Sequence, residues 1–317
     1  MTRPALAAAR AVEVLNFLAS HPGESFTLSE LSRHLNLNMA SGLSVLKALT
    51  DAGYVHRHHS HKTYSLGPAL VAVGYAALAR YQVIEIALEE MRRVAAECDT
   101  ECVASVVVGD EIVIVGASGR PRLEGADVRV GQRVPMIPPL GPIFLAWGEQ
   151  APVERWMDAL GPGADESERH QYRDALETVR RRGFSVGLES GARARSGRAL
   201  LDLVNSPRDE RLRGKALGLI AAMRHDYQVI DLDSTARMLI SNMAAPVFGV
   251  DGEVVLALTL QGFAEPMNGR EITAIGERLL SSTLHVTRES GGHAPDDFLQ
   301  GRSRNGDGPA LTPARQV

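Results

Sequence analysis

The chain has 317 residues, 44% hydrophobic and 23% charged, with mean hydropathy −0.07 and net charge −4. That is enough for two ordinary domains with real cores, and no uninterrupted apolar run reaches the ~18 to 20 residues of a membrane span. Cys98 and Cys102 are the only cysteines, too few for a secreted disulfide framework. Met1-Thr2-Arg3-Pro4-Ala5 leads into a charged amphipathic segment rather than an apolar leader, so a cytoplasmic chain with no membrane partner is expected.

The charge is unevenly spread. Residues 1–80 carry seven Lys or Arg against four Asp or Glu, and six of the ten histidines. A basic, histidine-rich module on an acidic body suits a nucleic-acid-binding head joined to a body with another task. In chain order, Leu6, Val12, Leu15 and Leu18 recur at helical spacing until His21-Pro22-Gly23 stops the run. Thr27-Leu28-Ser29-Glu30 reads as a capping box, opening a short helix striped by Leu28, Leu31 and Leu35. Asn36 and Asn38 break and recap the chain. A third helix is expected from Met39 to Ala52, ending at Gly53 as a left-handed cap. Alternating runs 54–58 and 63–66 around His59-Ser60-His61-Lys62 predict a hairpin. This order of elements is the layout of a winged helix-turn-helix.

Residues 68–81 read as a linker helix and 84–97 as a longer helix. Strands are expected over 102–108 and 111–117, turned at Gly109-Asp110, then a loop-rich region over 119–140. Helices follow near 141–149, 151–159, 167–182 and 207–225. A second hairpin, 242–250 with 253–261 around Asp251-Gly252, precedes a last helix near 269–288. Strands at both ends with helices between indicate an α+β body around an antiparallel sheet. The domains expected are 1–67 as the DNA-binding head, 68–82 as the linker helix, 83–289 as the body, and 290–317 as a disordered tail rich in Gly, Pro, Ser and charge.

At this point the sequence resembles the IclR-type transcriptional regulators. The resemblance runs through Ala9-Arg10-Ala11-Val12-Glu13-Val14-Leu15, Leu28-Ser29-Glu30-Leu31, the stretch Leu46 to Val55, and Tyr64-Ser65-Leu66-Gly67-Pro68. In the body it takes in Gly131-Gln132-Arg133-Val134-Pro135, Leu140-Gly141, Leu145-Ala146, Arg182-Gly183-Phe184-Ser185, and Ala244-Ala245-Pro246-Val247-Phe248 with Gly252. It implies a winged helix-turn-helix that binds operator DNA, a GAF-like domain that binds a small organic effector, and a homo-oligomer, dimer or tetramer. No cofactor is implied.

In the head, the third helix is the reader: Gly42, Val45, Leu46 and Leu49 form its buried stripe and Ala40, Ser41, Leu43, Ser44 and Lys47 its outward face. The family commonly places a lysine near 39, a bulkier aliphatic residue at 42 and an arginine near 44, where this chain has Met39, Gly42 and Ser44. Ser41 and Ser44 then read by hydroxyl hydrogen bonds and Leu43 by contact with a thymine methyl, or Leu43 packs on a neighbouring helix and the serines face solvent. Thr27, Asn38, Lys47, Arg57 and Lys62 complete the expected DNA-contacting set, the cations on phosphates. His56, His58, His59 and His61 on the wing either add pH-dependent phosphate attraction or are plain exposed residues; no acidic or cysteine ligand completes a metal site there.

In the second hairpin, Val254, Leu256, Leu258 and Leu260 share one uniformly apolar face, while Val255, Ala257, Thr259 and Gln261 share the other. The resemblance assigns effector contacts to Leu140, Gly141, Glu189, Asn242, Thr259 and Gln261; internal hydrogen bonding within the sheet is the alternative for the last three. Pro142 stands where the family has a lysine and Pro138-Pro139 stiffens the loop, which suits a larger, more apolar ligand than a small keto acid. Residues 190–240 replace a short family connection and either cover the effector site, extend an oligomer contact, or form a solvated basic loop with Arg193, Arg195 and Arg198. The body has no nucleotide-binding glycine loop, metal-ligand cluster or serine elbow, and Cys98 and Cys102 suit core packing or weak redox sensitivity. No enzyme is expected. The competing reading is a small-molecule sensor or scaffold with a weak or vestigial DNA-binding head.

Overall fold

The structure, a computed structural model, describes residues 5–119, 128–161, 164–223, 232 and 235–298. In the head, α1 (Leu6–Ala19), α2 (Leu28–His34) and α3 (Met39–Asp51) pack with a small antiparallel sheet in the order β1 (Phe26–Thr27), β3 (Thr63–Leu66), β2 (Val55–Arg57). The helices bury their stripes together: Val14, Phe17 and Leu18 of α1, Leu31 of α2, and Val45, Leu46 and Leu49 of α3 form one core with Val55 and Tyr64. The capping box is present, with Thr27 Oγ1 accepting the Glu30 amide and Glu30 Oε2 accepting the Thr27 amide at 2.7 Å. Asn38 Oδ1 accepts the Ser41 amide at 2.7 Å to open α3. A Cβ added at Gly42 would meet Ser32 Oγ at 3.0 Å and Leu28 Cδ1 at 3.1 Å. The residue that weakens α3 as a helix thus lets α2 and α3 cross closely. The strand β1 was outside the sequence expectation because two residues carry no alternation to read.

The linker is α4 (Ala69–Arg80), with no buried residue, and it turns by 93° into α5 (Gln82–Cys98). Among the described residues no single helix is long and apolar enough to cross a membrane.

The body is built on a six-stranded antiparallel sheet. Its strands are β4 (Glu101–Val108), β5 (Glu111–Ser118), β6 (Arg133–Pro135), β7 (Ser185–Leu188), β8 (Ile240–Phe248) and β9 (Val254–Gln261), in the spatial order β6-β5-β4-β9-β8-β7. One face lies under α5 and α10 (Gly269–Glu289): Leu256, Leu258 and Leu260 are buried there with Met91, Val94, Leu279 and Leu280. The other face meets a 3-10 turn (Pro142–Phe144) and α7 (Glu166–Arg182), where Ala257 and Ala244 pack with Ile143 and Val179. Beyond them, α6 (Gln150–Asp158) packs Trp156 against Tyr172 of α7. The helices α8 (Gly191–Asn205) and α9 (Glu210–Ala222) bury Ala199, Leu200, Ala216 and Ile220 against Val134, Ile137 and Leu140.

Two expectations, and one of the three alternatives left open for 190–240, need correction. The helix read over 141–149 is one 3-10 turn over Pro142–Phe144, entered from Gly141 at a left-handed φ of 80° and followed only by short turns, the Gly148 amide closing on the Leu145 carbonyl. The segment from 190 is no solvated loop: Ser190 caps α8 by accepting the Arg193 amide, and the helix buries an apolar stripe. The chain also stays packed past 289, since Phe298 is fully buried against Phe248 and Trp147. The rest of the expected tail, 299–317, lies outside the described residues, as does part of the 119–140 loop.

Candidate DNA-reading face and effector row

On α3 the division into two faces is sharp. Gly42, Val45, Leu46 and Leu49 are buried, whereas Ala40, Ser44 and Lys47 are exposed and Leu43 stays 52% exposed. About half of Leu43 thus stays in water at the middle of a helix face, a bulky apolar side chain open to contact. Met39 extends that patch. Ser41 is half-buried. Ser44 Oγ donates to the Ala40 carbonyl at 3.0 Å, leaving its lone pairs outward as acceptors. Thr27 Oγ1 already donates to Glu30 Oε2 at 2.9 Å, and those contacts hold the Glu30 carboxyl below the usual carboxylate range, the backbone hydrogen bond from Thr27 first. Thr27 and Asn38 thus serve first as caps, at the helix N-termini that bracket the turn.

The wing exposes Arg57 and Lys62, with Lys62 in the left-handed region at φ 53°. Arg57 lies 5.9 Å from the ring centre of buried Tyr64. His58 falls in the turn after β2, not on a strand face beside His56; its ring sits 4.6 Å from that of His61, and its Nδ1 accepts the His61 amide at 3.3 Å.

In the body, register brings the expected effector residues into order. Gly187 pairs with Asn242, Asn242 with Gln261, and Gln261 with Glu101, one row across four strands. Side chains opposite one another on adjacent strands share a face, and Gln261 Nε2 donates to Glu101 Oε2 at 2.6 Å. Thr259 stands two residues along on the same face, half-buried and paired with Ala244. Arg193 of α8 closes over the row. Its Nη1 donates to Ser241 Oγ at 3.1 Å, and a Cβ on Gly187 would fall 2.5 Å from that Nη1 and 2.9 Å from Asn242 Oδ1. A side chain at 187 would have to displace the Arg193 guanidinium or the Asn242 amide from where they now lie across the strand. Burial pushes the nearby Glu189 carboxyl up, opposed by Arg193 and by the Ser190 amide.

Leu140 and Gly141 join this group at one remove. Gly141 starts the 3-10 turn that covers Ala244 and Ala257, while Leu140 packs among α8 and α9 and its carbonyl accepts the Trp156 Nε1–H at 2.9 Å. Cys98 and Cys102 stand apart. Burial pushes both thiols up, which holds them protonated and poor as nucleophiles.

Residues 7–59 match the family model described as IclR helix-turn-helix domain. The head is an IclR helix-turn-helix. Similar folds cover nearly the whole chain in solved structures of that type. An IclR transcriptional regulator from Alicyclobacillus acidocaldarius is 23% identical with TM-score 0.62, covering 91% of this chain and 100% of its own. The HmgR structure from Pseudomonas aeruginosa is 21% identical with TM-score 0.57, covering 91% and 100%. An IclR homologue from Microbacterium hydrocarbonoxydans, crystallised with 4-hydroxybenzoate, is 18% identical with TM-score 0.59, covering 90% and 98%. No curated protein matches the sequence.

Around this IclR-type layout, the residues that sequence reasoning missed are Arg193, Ser241 and Glu101. Ser241 and Glu101 were legible only through strand register, which sets them beside Asn242 and opposite Gln261. Arg193 had a local signal, a serine followed by a run of small and basic residues, but Gly191 and Gly197 make that run read as loop.

Proposed function

We propose that this chain is an effector-responsive regulator that binds operator DNA through its head and a small organic molecule through its body. The observation carrying the reading is α3, a helix whose inner stripe is core and whose outer face keeps Leu43, Ser44 and Lys47 in water. Placed in a major groove, Leu43 meets thymine methyls, Ser41 and Ser44 meet base edges, and Lys47, Arg57 and Lys62 meet phosphates. Thr27 and Asn38 stand at helix N-termini, where free amides favour phosphate.

The effector is assigned to the sheet face bearing Asn242, Thr259 and Gln261, with Glu189 at its edge and Leu140 and Gly141 in the loop above. Convergent polar groups on an otherwise apolar face are what such a site needs. The working species is a homo-oligomer joined through α4, which presents Val71 and Tyr75, one turn apart on one face, at 59% and 70% exposure and carries no charge before Arg80. A second copy laid isologously along that helix covers the patch and sets two α3 helices for two half-sites. Such a regulator works in the cytoplasm, on the chromosome, and needs neither cofactor nor catalysis.

The test is a gel shift on the duplex flanking the chain's own gene. A salt-sensitive complex supports the reading, whereas a ligand found without any DNA complex supports the competing sensor or scaffold. Thermal-shift screening begins with 4-hydroxybenzoate, the molecule bound to the Microbacterium homologue, because a ligand selective for the folded state raises Tm by mass action.

A further inference from the structure

We infer that α8 and its following turn form a strap that couples the effector row to the placement of the DNA-binding head. The inference rests on the regulatory reading for its consequence, but the coupling is a property of the chain that needs neither ligand nor DNA to be tested. The strap touches both sites. At its first turn Arg193 bonds Ser241 and lies over Gly187 in the row. At its last residue, twelve positions on and about 18 Å away at 1.5 Å per residue, Asn205 meets the head.

The head end is a built contact. The Asn205 side-chain amide reaches within 2.8 Å of Nε2 of His21, a residue 4% exposed whose Nδ1 donates to the Phe17 carbonyl at 2.7 Å; with that proton on Nδ1, Nε2 is the accepting nitrogen and the Asn205 amide meets it through its NH2. The backbone carbonyl of Asn205 accepts from His34 Nδ1 at 2.6 Å. Both imidazoles sit in an aromatic cluster with Phe17 and Phe26, so the contact reaches the core between α1 and α2. Three residues beyond α8, Arg208 pairs with Glu13 of α1.

The middle of the strap is held as well. Ala199 and Leu200 pack with Ile220 of α9 onto Val134, Ile137 and Leu140, the loop that leads to Gly141. The same part of the chain reaches the head directly, for Arg129 Nη1 donates to the Ser20 carbonyl at 3.4 Å and Gly131 lies against Ala19. None of these contacts touches the outer face of α3. The strap therefore sets where the head stands and leaves its reading surface open. A ligand that moves Arg193 off the row shifts α8 as a rigid unit, and the shift arrives at His21, His34 and Glu13. This route runs alongside α4 and needs only that the two placements bind the ligand unequally.

Hydrogen exchange on the full-length apo protein tests the strap. Arg208→Glu and Asn205→Ala are expected to raise amide exchange in residues 12–34 about two- to fivefold, the range half-exposed polar contacts support, with the wing at 55–66 unchanged. Combining Arg208→Glu with Glu13→Arg restores the pair and is expected to return exchange to the parent level. Arg193→Ala, made at the row end of α8 where Arg193 bonds Ser241, is expected to raise exchange in the same head segment. If Arg193→Ala alters only the row, or the charge swap fails to restore a single-variant change, the strap is refuted. If neither head-end variant alters residues 12–34, it is refuted too. Gel shifts on the same proteins separate the two readings: coupling without DNA binding sinks the regulator and keeps the strap, and DNA binding without coupling does the reverse.

Discussion

Phe298 fills a slot between Trp147 and Phe248, with ring centres 5.5 and 5.1 Å away. Phe298→Ala should cost about 3–5 kcal/mol, the toll of emptying a buried aromatic site, read by denaturant unfolding of the full chain. Glu189 offers a pH test. Its carboxyl is raised by burial, so the folded state holds that proton more tightly than the unfolded chain does. Its contribution is complete below the ordinary carboxylate range and is lost as pH rises through the folded value. The Tm of Glu189→Gln relative to the parent should therefore climb across that window, and a flat difference would contradict the burial. Lys47→Ala should weaken binding to all duplexes alike and lower the salt slope by about one. At this scale the legible residues are those with local partners. Thr27 and Glu30, three apart, announce their cap, whereas Phe298 and Arg193 find partners about 50 positions or more away that no spacing rule reaches.

Elements were readable where punctuation and period agree. The head's helices stop at His21-Pro22-Gly23, Asn36 and Gly53, and the stripe read on α3 is the one buried. The hairpin of β8 and β9 separated its faces as alternation requires, Leu256, Leu258 and Leu260 going to the α5 and α10 side. Reading failed where a helix carries glycine and charge, as α8 does, and where proline-rich chain mimics a helix start, as at 141–149. The exposed apolar length of α4 makes its own prediction. Tyr75→Glu should shift the chain toward monomer in sedimentation velocity while leaving far-UV circular dichroism intact, because a carboxylate cannot be buried unpaired in an apolar contact. An unchanged assembly would place the interface elsewhere.

On the scale of the whole molecule, charge and topology divide the labour. The basic first quarter folds as the reader, and the acidic remainder folds as a sheet with helices on both faces, joined by α4 and by the contacts of Arg129, Asn205 and Arg208. The two-domain layout was legible because each domain has its own periodicity and core. Contacts between domains were not, since single polar residues make them. The most direct measurement is fluorescence anisotropy of the full chain titrated onto a labelled duplex from beside its own gene at stepped salt concentrations. Affinity is expected to fall linearly in log–log form, with a slope of about −0.9 per phosphate contacted, and to weaken further when Leu43→Asp removes the exposed apolar contact on α3. Absence of any salt-dependent association with that duplex or with mixed-sequence DNA would contradict it.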